Sequence, residues 1–303
     1  MIQFTKQSLI EALQQIHAKG WIESVRAPSN AGAVGNTLET LLGITENNLP
    51  IANAAEWELK AKRRGSSSLV TLFHMEPSPT SMRFVPEILL PNYGWGHVRR
   101  SGENSFRQTI NAVTSTDRGF KIVVNRIEAK IEVSFNAAFV AERHATWLSE
   151  VAGRVGLGEL NPQPYWGFND LEHKIGSKLT NTFFVLADSK KQGGKEYFFY
   201  NGVLMLKTFS FAHFLLALEE GVIYVDFDAS TTHNHGTKIR LNAQILPTLY
   251  AETTSILDDP MNRVDLLKLD VRSIASVATM IRMQDMHMIE QAEAQGISLD
   301  EDD

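Results

Sequence analysis

Apolar residues near the N-terminus recur at helical spacing. Leu9, Ile10, Leu13 and Ile16 share one face of a predicted first helix. Thr5 stands where its N-cap belongs, and Gly20 where it stops. A loop follows through Pro28, Asn30, Gly32 and Gly35. A second helix is predicted from Asn36. Asn36 and Glu39 have capping-box spacing, and Gly43 ends the helix. Leu49-Pro50 leads into a strand that ends near Lys62. Gly65 and Ser66-Ser67-Ser68 make a turn, and Leu69 to Phe73 return as a strand buried on both faces. The two strands read as a hairpin.

Farther along, periodicity lapses over residues 76–119, which read as irregular. This region holds Asn92-Tyr93-Gly94-Trp95-Gly96-His97-Val98-Arg99-Arg100, a mixture of aromatics, glycines and cations typical of a working loop. Alternation resumes from Phe120 to Phe135, predicting a hairpin that turns near Arg126 to Ala129. Residues 136–152 read as helix or a strand–helix junction, and Gly153 to Gly158 as a linker. Asp170 to Lys178 predicts a helix, Thr182 to Ala187 a buried strand, Lys190 to Lys195 a basic turn, and Tyr197 to Tyr200 another strand. A helix over Phe209 to Glu219 and a strand over Val222 to Phe227 come next. Asp265 to Gly296 looks helical, with Met280, Met283 and Met286 expected to pack on the body.

Composition narrows the class. The 303 residues are 43% hydrophobic, enough for a real core in one large domain or two modest ones. No apolar run approaches the roughly 18 residues of a membrane span, and Met1-Ile2-Gln3-Phe4 lacks a signal-peptide core. With no cysteine, thiolate metal sites are excluded, and a cytoplasmic home is expected. The net charge of -6 does not favour a polyanionic partner, but binding depends on local basic surface. Basic residues cluster at Lys60, Lys62, Arg63 and Arg64, at Arg99 and Arg100, and at Lys190 and Lys191.

The stretch richest in chemistry is Trp57-Glu58-Leu59-Lys60. In a strand, Glu58 and Lys60 project to one face while Trp57 and Leu59 turn to the core. A carboxylate that holds a divalent cation and an ammonium that stabilises charge suit metal-assisted attack on a phosphodiester. Alone, the pair is weak, because solvated strands often carry opposite charges. A second polar stretch, Asp226 to Arg240, contains His233, Asn234 and His235. Its His-x-His beside two aspartates invites a zinc reading, yet no third or fourth ligand is placed by spacing.

The surroundings of Glu58 and Lys60 are more specific. Gly35-Asn36-Thr37-Leu38-Glu39, Trp57-Glu58-Leu59-Lys60 and Thr71-Leu72-Phe73, with Gly236 to Arg240 later, closely resemble the MvaI/BcnI family of restriction endonucleases. That family belongs to the PD-(D/E)xK nuclease group and is related to the nicking enzyme MutH. The resemblance implies an α/β fold with a mixed central sheet flanked by helices. It implies a sequence-specific endonuclease that cuts double-stranded DNA with Mg2+ or Mn2+, acts as a monomer, and has a cognate DNA methyltransferase as counterpart. Glu39, Asn53, Glu58 and Lys60 would form the catalytic site, with Asn53 and Glu58 at the metal. Glu39 also has the plainer reading of a helix cap. The expected DNA contacts are Lys62, Arg63, Arg64, Tyr93, Trp95, His97, Arg99, Arg100, His233, Asn234, His235, Lys238 and Arg240. An endonuclease unit is expected over 1–250, with a catalytic lobe around 35–75 and DNA-contacting loops around 90–120 and 226–240. Residues 251–303 would form a helical extension with an acidic tail.

One departure stands out. The family places a metal-binding aspartate five positions before the glutamate, and this chain has Asn53 there. An amide keeps the shape and loses the charge. Either a weakened natural site or a deliberate substitution that traps an uncut complex fits this, and the intact Glu39, Glu58 and Lys60 favour the second. A strand-specific nickase of the MutH type and a DNA-binding protein without cleavage remain open.

Overall fold

The computed structural model describes residues 4–28, 30–44, 56–257 and 273–294. In chain order the elements are α1 (Lys6–Ala18), β1 (Ile22–Glu23), α2 (Ala33–Leu41), β2 (Trp57–Arg63), β3 (Val70–His74), α3 (Leu90–Tyr93), β4 (Trp95–Gly96) and β5 (Asn104–Ile110). Then come β6 (Arg118–Asn125), β7 (Lys130–Val140), α4 (Ala145–Val155), β8 (Tyr165–Gly167), α5 (Phe168–Lys178), β9 (Asn181–Gln192) and β10 (Lys195–Phe209). The last are α6 (Phe211–Glu219), β11 (Ile223–Ser230), β12 (His233–Asn234), β13 (Lys238–Leu241), β14 (Tyr250–Leu257) and α7 (Ser273–Ala294). Among the described residues no helix is long and apolar enough to cross a membrane. The fold is mixed α/β, as the pattern predicts.

The chain divides into two compact units. The first comprises Met1–Val70, Glu172–His213 and Asn242–Val271; the second comprises Thr71–Leu171, Phe214–Leu241 and Arg272–Asp303. Each unit is assembled from several chain segments.

The first unit is built on a five-stranded sheet in the order β1-β10-β9-β2, with β14 also pairing β10. β2 runs parallel to β9 and the remaining pairs are antiparallel, so the sheet is mixed. Its core joins Leu9, Leu13 and Ile16 of α1 with Val34 and Leu38 of α2, Trp57 and Leu59 of β2, and Phe183, Phe198 and Tyr200. α1 starts where predicted, because the Thr5 side chain and that of Ser8 close a capping box. α2 starts three residues earlier than expected. Gly32 is its N-cap and Asn36 lies inside the helix. The Asn30 side chain accepts from Gly32 N at 2.9 Å, and Ala33 and Val34 are buried, so the turn and the packing set the start rather than Asn36.

The hairpin expected around Gly65 does not form. β2 pairs with β9, whereas β3 joins a second sheet, because each buries its apolar side chains in a different core. β10 is fifteen residues long, well beyond Tyr197 to Tyr200, and a register shift between Tyr200 and Gly202 lets it continue. The basic turn shrinks to Gly193 and Gly194, both at positive φ, since β9 runs on to Gln192.

In the second unit a six-stranded sheet runs β3-β13-β11-β5-β4 with β12 on β11, beside a three-stranded sheet β6-β7-β8. The region expected to be irregular therefore supplies β5, a central strand. Phe106, Gln108 and Ile110 alternate inward there, but the intervening polar residues hide the pattern in the sequence. Phe106, Phe120, Phe135 and Tyr93 pack with ring centroids 5.3–5.8 Å apart, edge to face except for the tilted Phe120–Phe135 pair, to form the core. The predicted turn between β6 and β7 is present. In α7, Ile274, Val277, Ala278 and Ile281 are buried while Met280 and Met283 are exposed. The packing face is thus set by aliphatic residues, not by the methionines.

Candidate active site

Glu58 and Lys60 emerge from the same side of β2, as alternation requires. Trp57 and Leu59 hold the strand from the other side, and Trp57 packs 4.6 Å from Phe183. Lys60 Nζ lies 2.7 Å from Glu58 Oε1, and Lys178 Nζ of α5 lies 3.6 Å from the same oxygen. Glu58 is 1% exposed, which makes ionisation costly unless the charge is compensated. Its other oxygen, Oε2, is buried and has no hydrogen-bond partner among the described residues. A buried carboxylate oxygen without a partner is costly, and an ordered water or a cation is one group that would satisfy it.

Across the sheet, Thr182 is the register partner of Glu58 on β9. Its hydroxyl pairs with that of Tyr250 at 2.7 Å. Burial raises the Tyr250 pKa, the Thr182 hydrogen bond opposes this, and the Glu58 charge adds to the rise, so Tyr250 stays a neutral hydroxyl. Glu39 lies on α2, two turns of helix whose buried face is Val34, Thr37 and Leu38. Asn53 lies outside the described residues.

Sequence reasoning missed Lys178, Thr182 and Tyr250. Lys178 had one visible signal, its place as the basic residue in the last turn of a predicted helix.

The expected DNA contacts divide into two groups. Lys62 is buried and donates to the Ser68 carbonyl. Arg63 makes two bonds to Glu196, at 2.9 and 3.1 Å, and one to the Asn30 carbonyl at 2.7 Å. Arg64 Nε bonds Asn201 at 3.1 Å. Lys62 and Arg63 lie on β2 and Arg64 in the turn that follows it, and each would have to leave a protein partner to meet a phosphate. Tyr93 and Trp95 are core residues, and Arg118 stacks 3.8 Å over Trp95. Buried in this way, neither side chain is presented to solvent for the DNA contact expected of it. His97 Nδ1 accepts from Arg99 N at 3.1 Å, and Arg100 bonds Glu103 at 3.1 Å and Thr232 at 3.2 Å.

The second group lies on β12, β13 and the loop between them. His233, Asn234 and His235 are exposed, with the two imidazoles 4.1 Å apart. Glu76 steadies the end of their loop by accepting from Thr237 N at 2.8 Å and Thr237 Oγ1 at 2.9 Å. Lys238 and Arg240 lie on β13, not in a loop. With Arg107, Thr109, Asp226 and Asp228 they line a groove of about 440 Å3 on one face of the sheet. Arg240 bonds Asp226 at 3.0 Å, Thr109 bonds the other oxygen of Asp226 at 2.8 Å, and Arg107 pairs with Asp228 at 3.1 Å. Arg107 and Thr109 went unseen because β5 did.

A mixed sheet that carries a buried glutamate and its lysine on one strand defines a restriction-endonuclease-like α/β protein. The solved complex of the restriction endonuclease MvaI with its cognate DNA substrate has this fold: TM-score 0.68, 23% identity, covering 84% of this chain and 100% of that one. MvaI in the absence of DNA also matches, with TM-score 0.48, 23% identity, and coverage of 85% and 100%. No curated protein sequence matches. The model of the MvaI/BcnI restriction endonuclease family matches residues 10–250, and the chain belongs to that family. By class it is a type II restriction endonuclease.

Proposed function

We propose that the chain hydrolyses double-stranded DNA at a short sequence with Mg2+ or Mn2+, and that Glu58 and Lys60 carry the reaction. The observation behind this is the pair of unlike oxygens on Glu58. One meets an ammonium; the other is buried and unpaired. A carboxylate oxygen with free lone pairs fits a hard divalent cation, so Glu58 would hold the metal, with Asn53 the expected second ligand. When bound, the metal polarises the phosphate and lowers the pKa of a bound water.

The chain's own residues do the rest. Lys60 holds Glu58 in place and supplies positive charge where the attacked phosphate becomes more negative. Water adds to phosphorus and the bond to the 3'-oxygen breaks, giving a 5'-phosphate. His233, Asn234, His235, Lys238 and Arg240 offer donors and acceptors that read base edges, and the groove beside them alternates carboxylates and cations. The similarity to a MvaI–DNA complex supports DNA as the partner. A methyltransferase marking the same sequence would be the functional counterpart.

Asn53 favours a second reading, a chain that binds DNA and cleaves it slowly or not at all. Supercoiled plasmid with magnesium separates the cases by linear product, nicked product, or a gel shift alone. Glu58→Ala and Lys60→Ala are expected to abolish turnover while the shift persists. Cleavage by either variant at the parent rate removes this site from the mechanism.

A further inference from the structure

Glu58 is faced by two ammonium groups, and the family pattern accounts for one. Lys178 ends α5, and its Nζ stands 3.6 Å from Glu58 Oε1, within ion-pair reach but too far for a hydrogen bond. Lys60 already occupies that oxygen at 2.7 Å. No acceptor for the three protons of Lys178 lies among the described residues. Its side chain nonetheless keeps only 17% of its accessible surface, so water does not fully replace one.

Lys174 lies one turn earlier on the same helix. Burial, and then the charge of Lys178, hold its ammonium below the ordinary lysine range. Two cations thus crowd one face of α5, beside a carboxylate already paired with a third. The C-terminal end of a helix favours a cation such as Lys178, which helps hold it there. What this corner lacks, among the described residues, is an acceptor within hydrogen-bond distance of Lys178 Nζ.

We propose that Lys178 is a second catalytic lysine, whose ammonium binds a non-bridging oxygen of the phosphate being cut. This rests on the hydrolysis reading above. In that reaction the water oxygen bonds to phosphorus, and the P–O3' bond breaks with its electron pair going to O3'. The proton that water gives up is balanced by the one O3' takes up. The non-bridging oxygens stay anionic throughout, and a fixed ammonium is worth most where that charge is concentrated in the transition state. Lys60 and Lys178, from β2 and α5, would grip the phosphate from two directions. A lysine serving only to neutralise Glu58 would be redundant beside Lys60.

The test reads binding and rate separately. Affinity for a mixed-sequence duplex is measured without divalent metal across a salt series, and single-turnover cleavage with magnesium in an Asn53→Asp background. Lys178→Gln is expected to lower the slope of log affinity against log salt by about 0.9, the signature of one lost phosphate contact. It is also expected to slow cleavage about 100-fold. Lys178→Arg should restore the slope and part of the rate, and thermal unfolding of both variants reports any loss of fold. Parent slope and affinity in folded Lys178→Gln overturn the proposal. Failure of the hydrolysis reading looks different: the parent binds no duplex, or Glu58→Ala cleaves at full rate, and Lys178 then has no phosphate to hold.

Discussion

At the scale of single residues, the metal site we propose turns on Asn53. A cation between Glu58 and a second carboxylate draws charge from both, and an amide at the second position removes one negative unit with almost no change in shape. In the proposed site, metal affinity would fall, and so would the field that acidifies bound water. Duplex binding survives, because a negative charge near the phosphate has gone. Asn53→Asp is therefore expected to raise the plasmid cleavage rate at least about tenfold at limiting magnesium, the scale on which support for a metal ligand acts. The check is a magnesium titration with DNA affinity measured alongside. A variant no faster than the parent would mean that Asn53 is not the missing ligand. Glu58 and Lys60 were legible at this scale because period-two alternation alone puts them on one face. Lys178 was not: the segment Thr71–Leu171 of the other unit separates it in sequence from β2.

Elements are where the sequence and the structure part most. α1 was legible because its cap and apolar face agree. β5 was not, since Ser105, Arg107 and Thr109 break up the signal of Phe106 and Ile110. β10 was cut short because an asparagine and a glycine, Asn201 and Gly202, look like a stop. The strand absorbs them as an irregularity while Arg64 bonds Asn201. The second unit also has a polar joint that no motif announces. Asp117, just before β6, accepts from Arg143 at 2.8 Å and pairs with His144 at 2.5 Å, at the start of α4. Burial alone would raise the Asp117 pKa. The Arg143 and His144 hydrogen bonds, with the charges of His144 and Arg118, outweigh it and leave the carboxyl below its ordinary value. A depressed carboxylate stabilises the fold fully above its unfolded pKa, and this is lost as pH falls through the folded value. Asp117→Asn should therefore cost about 1–3 kcal/mol at neutral pH, the range for charge-assisted bonds. Urea midpoints of parent and variant should converge in acid below the ordinary aspartate range. Parallel curves at all pH values would remove Asp117 from the acid sensitivity of this unit.

At the scale of the whole molecule, one chain holds one Glu58–Lys60 pair, and a duplex has two strands to cut. If the protein acts as a monomer, as we propose, a single site must engage each strand in turn. The two cuts are then separate events with a nicked circle between them. A dimer with two sites would cut both strands in one encounter. The net charge of -6 opposes self-association at low salt. In the Asn53→Asp background, nicked plasmid is expected to rise first and linear product to follow. The rate per molecule should not depend on protein concentration in dilute enzyme. Sedimentation of the free protein should give a single species near 33.9 kDa. Linear product appearing without a nicked precursor, together with a rate that climbs with the square of protein concentration, would instead require two chains at each site. The single-site account of the mechanism would then have to be replaced by a paired one.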